Sequence, residues 1–296
     1  MFDDVEAFCV FIGHTRSGHS LVGSLLDAHH EAVIAHEEQV FQVVASLPAL
    51  RARAGRQLEL FGHVKRATRR EIKLAMNGVR GPTGHLQTRQ REALLRDLIR
   101  VSETQAELGR PGWRLSPDGQ PSMTSYKVPG GFQGTYTQLR VIGTKRGQET
   151  PVAWQTNPAI FDDLETLVRA PVRLVHVYRN PWDNIASMGR AAGDKAPQRY
   201  FSRVRLIADI KALGRWPMLD IRHEDVVADP ESETRRLFGW FGLDAPANLV
   251  SACASIVDDK PNPSRMTRQW RSGEVRKIAA WMRDVPWLAD YPNRPW

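Results

Sequence analysis

A short apolar run that leads into a glycine-containing loop constrains the fold of this chain most strongly. Residues 8–12 are uninterrupted hydrophobic sequence, the loop at residues 13–20 follows, and Leu21, Leu25 and Leu26 then recur at helical spacing. This order predicts a buried strand, a tight loop and a helix. A strand that is apolar throughout is typical of a parallel sheet covered on both faces.

Other segments repeat the alternation of strand and helix. We predict further strands at residues 139–142, 172–178 and 217–221. The pairs Asn157-Pro158 and Asp229-Pro230 each place a capping side chain before proline, which indicates the start of a helix. Together with the loop, this alternation predicts an α/β protein with a P-loop-like three-layer fold and a central parallel sheet.

The length and composition bound the organisation of the chain. With 296 residues, 42% of them hydrophobic, the chain suits one domain with a full core, so we expect a single domain over residues 1–296. Arginine-rich helical patterns at residues 48–120 predict a helical insertion or lid. Because Cys9 and Cys253 are the only cysteines, and no leader or long apolar run is evident, we expect a cytoplasmic protein without a membrane span.

The loop at residues 13–20 (GHTRSGHS) has the glycine spacing of a P-loop, but His19 stands where a P-loop has lysine. Backbone amides in such a loop point at a phosphate, and Arg16 adds a bidentate cation. ATP chemistry also needs the lysine and magnesium, so the loop predicts a phosphate site and disfavours a nucleotide kinase. A turn without function is the alternative. The residues assigned to this site are His14, Thr15, Arg16, Ser17, Gly18, His19 and Ser20.

A second strand end predicts a second anion site. Arg179 follows the strand at residues 172–178, a helix is expected from Pro181, and Ser187 lies in that helix. Arg179 and Ser187 are therefore expected to converge on one anion, although the segment alone also fits a surface turn. The net charge of +8 favours an anionic ligand, a nucleic acid or an acidic surface as partner.

Taken together, the two segments resemble the sulfotransferases that use 3′-phosphoadenosine-5′-phosphosulfate (PAPS). In that family the first motif binds the 5′-phosphate and the second supplies an arginine and a serine to the 3′-phosphate. Residues 12–40 (IGHTRSGHSLVGSLLDAHHEAVIAHEEQV) look most like the protein tyrosine sulfotransferase branch, and residues 221–243 also resemble the family. The resemblance implies PAPS as cofactor, 3′-phosphoadenosine-5′-phosphate (PAP) as product, and no metal.

The resemblance also implies a general base. Glu37 takes the place of the family's glutamate, with His36 and Glu38 as alternatives. Arg16 is expected to act at the reacting group as well as in binding. For the charge that develops on the bridging oxygen, the candidates are Lys145, which follows a predicted strand, and Lys127.

Near the C-terminus, residues 271–281 are similar to the segment that covers the cofactor in the family. Arg271 and Gly273 would then close over the 3′-phosphate, although a surface helix start is an equal interpretation. The sequence departs from the family at His19 and Ser20, which replace a threonine pair, and at Thr156, where the tyrosine-specific branch has lysine.

The acceptor is not identified by the sequence. A small hydroxylated metabolite, a carbohydrate or a peptide remains open, and so does the oligomeric state. The histidines do not show the paired helical spacing of a zinc site, so no metal is expected. A basic nucleic-acid-binding protein is the alternative from another class, but no nucleic-acid-binding motif is evident, and we expect no nucleic-acid partner.

Overall fold

A parallel sheet forms the centre of the computed structural model, which describes residues 2–36, 40–44, 83–109 and 126–296. The sheet has five strands in the order β2-β3-β1-β4-β5, and every pairing in it is parallel. The strands are β1 (Ala7–Gly13), β2 (Ala32–Ala35), β3 (Val141–Thr144), β4 (Val172–Tyr178) and β5 (Met218–Arg222).

Helices lie between these strands and after the last of them. They are α1 (His19–Asp27), α2 (Thr83–Glu107), α3 (Thr150–Thr156), α4 (Ile160–Val168), α5 (Pro181–Ala192), α6 (Ala196–Leu213), α7 (His223–Ala228), α8 (Pro230–Trp240), α9 (Ala247–Ala254) and α10 (Ser272–Arg283). Residues 40–44 are also helical, and short 3₁₀ turns lie at Gly193–Lys195, Ser264–Thr267 and Pro286–Leu288.

The two faces of the sheet carry separate hydrophobic layers because side chains alternate along each strand. From β1, Phe8, Val10 and Ile12 pack with α2, α4 and α6. Cys9 and Phe11 point to the other face and pack with α1, α8 and α9. The predicted three-layer α/β architecture is therefore confirmed.

A third cluster joins the C-terminal part of the chain to α5. Trp182, Ile185 and Met188 of α5 pack there with α6, α10 and Tyr291. The C-terminal residues thus cover the helix that follows Arg179.

The strand predictions hold except at one edge of the sheet. β4 begins and ends as predicted, and β3 and β5 are displaced by one or two residues. β2 was not predicted, because four residues are too few for a periodic pattern to be recognised.

Of the helix starts predicted at Asn157-Pro158 and Asp229-Pro230, the second is correct and the first is displaced. Asp229 caps α8 by accepting a hydrogen bond from the Ser232 amide at 3.0 Å. Asn157 instead accepts from the Ala159 amide at 3.1 Å, so its side chain closes a turn and α4 begins only at Ile160.

The predicted insertion at residues 48–120 lies mostly outside the described residues, and both it and the single-domain organisation stay predictions. Within the stretch, α2 buries Leu94, Leu95 and Leu98 against the sheet. Ser102 donates to the buried carboxylate of Asp27 at 2.9 Å. None of the helices in the described ranges has the length and apolarity needed to cross a bilayer.

Candidate active site

The carboxyl ends of the five strands bring the candidate residues to one edge of the sheet. Across that edge the order is His36 after β2, Lys145 after β3, residues 13–20 after β1, Arg179 after β4 and His223 after β5. Both predicted anion-binding motifs therefore lie on neighbouring central strands, and Lys145 lies beside the loop.

The predicted phosphate loop, residues 13–20, depends on glycine for its shape. Gly18 has φ 101°, and a Cβ atom on it would lie 2.2 Å from the ring of His223. Arg16 also has a positive φ, 69°, which is uncommon for a residue with a side chain. α1 begins at His19, so its first amides, which have no partner within the helix, face the loop region.

Side chains within the loop bond to one another and to Lys145. The Lys145 ammonium donates to Ser20 Oγ at 2.8 Å, and Ser17 Oγ lies 3.0 Å from His19 Nδ1. Lys145 is only 2% exposed. The Lys145 ammonium is therefore buried beside residues 13–20, and its role in stabilising developing negative charge stays a prediction.

His14 has different surroundings from the rest of the loop. Its ring is buried and stacks on Tyr200 of α6 with centroids 4.1 Å apart. Burial, followed by nearby cationic groups, holds the pKa of His14 well below its usual range. The His14 side chain therefore packs as a neutral ring, while the backbone of Thr15 is fixed by a bond from Asn184 Nδ2 at 2.9 Å.

Arg179 is a buried cation whose hydrogen bonds go to backbone oxygens. It is 8% exposed and donates to the backbone oxygens of Arg16 at 3.2 Å and Asn262 at 2.9 Å. In the described part of the chain no carboxylate forms an ion pair with Arg179. Burial lowers its pKa, and the more distant charges of Asp183 and Glu224 oppose that shift. A buried guanidinium in this state favours an anionic ligand.

Arg16 connects the two predicted motifs. Its Nε donates to Ser187 Oγ at 3.3 Å, although the two residues are 171 positions apart. Its backbone oxygen accepts from Arg179. Arg179 and Ser187 therefore both contact Arg16. Their convergence on one anion stays a prediction.

Other predicted site residues lie apart from Arg16, Arg179 and Ser187, or outside the residues that the structure describes. Arg271 has 84% of its side chain exposed and lies 4.0 Å from Asp194. In the described part of the chain, the side-chain hydrogen bonds of Arg179 go to Arg16 and Asn262, not to Arg271 or Gly273. Lys127 is exposed. Their proposed roles stay predictions. Glu37 and Glu38 lie outside the described residues.

Two further histidines at the strand ends were not assigned a primary role from the sequence. His36 is 2% exposed, and neither ring nitrogen has a partner among the described residues. Its pKa is held well below the usual range by burial and then by the charges of Lys145 and His19. His223 packs against Gly18, and burial and the Arg179 charge lower its pKa. His223 lies two residues beyond the predicted strand at residues 217–221, so its place at this edge of the sheet could have been predicted.

Groups of side chains that could hold a metal ion were sought among the described residues. Within residues 2–36, 40–44, 83–109 and 126–296, no three histidine, cysteine or carboxylate side chains are grouped closely enough to hold a metal ion. The expectation of a metal-independent reaction stays a prediction.

The sequence match to a known family covers this site. Residues 9–247 match the model of the sulfotransferase family. The chain belongs to the sulfotransferase family. The match includes the phosphate loop, Lys145, Arg179 and Ser187, and it confirms the resemblance at family level. The similarity of the cofactor half to the tyrosine-specific branch stays a prediction.

Solved sulfotransferase structures are similar over nearly the whole chain. The sulfotransferase domain of the Synechococcus PCC 7002 olefin synthase is 16% identical and gives a TM-score of 0.46, covering 97% of this chain and 94% of that one. A sulfotransferase of Mycobacterium avium is 13% identical, with a TM-score of 0.47 and coverage of 97% and 78%. One from Alicyclobacillus acidocaldarius is 14% identical, with a TM-score of 0.42 and 97% coverage of each chain. A comparison with curated protein sequences gave no match.

Proposed function

We propose that this sulfotransferase takes its sulfuryl group from PAPS and transfers it to a hydroxyl or an amine of an acceptor. The observation that carries this proposal is the contact chain from Arg179 through Arg16 to Ser187. PAPS carries one anionic group at each end of its ribose, at the 3′ and 5′ positions. Two anion sites joined through one arginine suit such a ligand.

The residues of the carboxyl edge fit this donor. Gly18 gives the loop a backbone shape that a Cβ atom would obstruct, and the loop amides would hold the 5′ end. Arg179 and Ser187 would hold the 3′-phosphate. Bound PAPS supplies a sulfuryl group already activated by its phosphate leaving group.

The remaining side chains would serve the transfer itself. The acceptor oxygen or nitrogen forms a bond to sulfur in line with the bond that breaks, between sulfur and the bridging 5′-phosphate oxygen. Lys145, fixed by Ser20, would neutralise the charge left on that oxygen. The proton of the acceptor passes to a base, for which Glu37 remains the candidate and the neutral ring of His36 the alternative.

The acceptor site would lie on the β2 and β3 side of the loop. Arg179 and Ser187 take the β4 side for the donor, whereas His36 and Lys145 lie on the opposite side. The acceptor classes remain a small hydroxylated metabolite, a carbohydrate or a peptide. We propose a cytoplasmic location and a metal-independent reaction.

Calorimetric titration with PAP tests the donor without knowledge of the acceptor. We expect binding that needs no magnesium and is stronger than that of AMP by about a hundredfold, because the 3′-phosphate adds charge-assisted hydrogen bonds. Arg179→Ala should lose this preference. Glu37→Ala should keep it, since a base for the acceptor does not bind the donor. Equal affinity for PAP and AMP in the native chain would overturn the proposal.

A further inference from the structure

The turn that carries Arg179 is held by the C-terminal part of the chain, beyond the residues that match the family model. The Tyr291 hydroxyl donates to Glu224 Oε2 at 2.8 Å. The other oxygen of Glu224 accepts from the backbone amide of Asn180 at 2.8 Å. Tyr291 is thus linked through one carboxylate to the residue that directly follows Arg179.

The Tyr291 hydroxyl has a defined orientation. Arg222 Nε donates to it at 3.0 Å, so its own proton is left for Glu224. The Arg222 guanidinium also lies 4.5 Å from the centre of the Tyr291 ring. Because Tyr291 is only 4% exposed, water has little access to compete for these bonds.

Neighbouring contacts fix the same turn. Asn180 caps α5 by accepting a bond from the Trp182 amide at 3.0 Å. The Trp182 indole is fully buried and donates to the backbone oxygen of Pro292 at 2.7 Å. The C-terminal residues therefore hold both the cap and the first turn of the helix that begins after Arg179.

We propose that Tyr291, acting through Glu224, is a positioning residue for the 3′-phosphate site. The bond from the Asn180 amide to Glu224 fixes the backbone next to Arg179. The Arg179 guanidinium is therefore in place before the ligand binds. A site arranged in advance loses less conformational entropy on binding. Tyr291 accordingly contributes to the preference for nucleotides with a 3′-phosphate. This inference rests on the proposed function.

Tyr291→Phe tests the inference because it removes one hydroxyl and keeps the packed ring. The affinities of PAP and AMP are measured by calorimetry for the native chain, for Tyr291→Phe and for Tyr136→Phe, a control whose ring is 38% exposed. We expect Tyr291→Phe to lower the ratio of the two affinities by about tenfold, the size of one hydrogen bond to a charged group. The affinity of Tyr291→Phe for AMP should stay unchanged. The ratio of the PAP and AMP affinities should also stay unchanged in the control, Tyr136→Phe.

The outcomes separate this inference from the proposed function. If the native chain does not prefer PAP, the proposed function fails. If it prefers PAP and Tyr291→Phe keeps the full preference, or weakens PAP and AMP equally, Tyr291 has no specific role at this site. Glu224→Gln provides a second variant if Tyr291→Phe unfolds. It should also lower the PAP preference, because the amide has one oxygen and cannot accept from Asn180 at one oxygen and from Tyr291 at another.

Discussion

A single residue, Gly18, determines the backbone shape of the predicted phosphate loop. Its backbone has φ 101°, a region that residues with side chains rarely adopt, and the His223 ring occupies the space where a Cβ atom would be. The loop and the end of β5 are thereby fitted to each other. A change at this residue affects the backbone of the loop and the position of His223 together.

Gly18→Ala should therefore destabilise the protein by about 1–3 kcal/mol and weaken PAP binding. Urea unfolding and calorimetry measure the two effects. Gly239→Ala is the matched control, because Gly239 lies within α8 with open space around it. Alanine there should stabilise the helix by about 0.5–1 kcal/mol. Equal stability changes in the two variants would contradict this account of the loop.

The residues of the site were predictable to the extent that they follow strands. The loop and Arg179 come directly after predicted strands, and Lys145 lies three residues beyond one, so the sequence alone brings them to one edge of the sheet. Asn262 was not predictable in this way. It accepts from Arg179 across 83 residues, and that contact depends on the path of the chain after α9.

At the scale of secondary-structure elements, Asp27 joins three of them. Its carboxylate accepts from the Ile34 amide at 2.6 Å, next to the end of β2, and from Ser102 of α2 at 2.9 Å, while Asp27 itself ends α1. Burial raises the pKa of Asp27 from 3.8 to about 7, although both hydrogen bonds oppose that rise. α1, β2 and α2 therefore meet at a carboxyl group that is costly to ionise.

Asp27→Asn should stabilise the protein at alkaline pH. The native carboxyl keeps its proton between pH 3.8 and about 7, where the unfolded chain has released it. The contribution of this carboxyl group to stability is therefore complete below pH 3.8 and is lost as the pH rises through about 7. Compared with the native chain, the free energy of unfolding of the variant should be higher at pH 8 than at acidic pH by on the order of 2 kcal/mol. Urea unfolding at the two pH values measures this difference. Asp209→Asn, at an exposed residue, should show no such pH dependence.

Elements with long or distinctive patterns were predictable, and short ones were not. β4 is a seven-residue run with a clear end, and α8 has an aspartate cap followed by proline. β2 has four residues, and pairing with β3 defines it as a strand. Asn157 has a helix-capping signature but closes a turn, because the same side chain serves both structures.

Buried histidines affect the molecule as a whole. His14, His36 and His176 each have a pKa held below the usual 6.5, in all three cases chiefly by burial. In the unfolded chain these rings take up protons near that pH, whereas the native protein leaves them neutral. Their contribution to stability is present above pH 6.5 and is lost as the pH falls.

The melting temperature should therefore fall between pH 7 and pH 5, despite the opposite contribution of Asp27. Calorimetric scans over this range measure the effect. His36→Gln, which replaces one titrating ring with a neutral amide, should give a shallower fall than the native chain. A fall of the same steepness in this variant would show that His36 does not take part.

The order of the strands has a consequence for how such proteins diversify. The proposed donor-binding residues follow β1 and β4, each flanked by strands on both sides. The proposed acceptor side adjoins β2, which has β3 as its single neighbour among the strands that the structure describes. Insertions or replacements beside an edge strand disturb fewer backbone bonds than changes in the middle. A lineage can therefore exchange the parts that recognise the acceptor while it inherits the donor-binding parts intact.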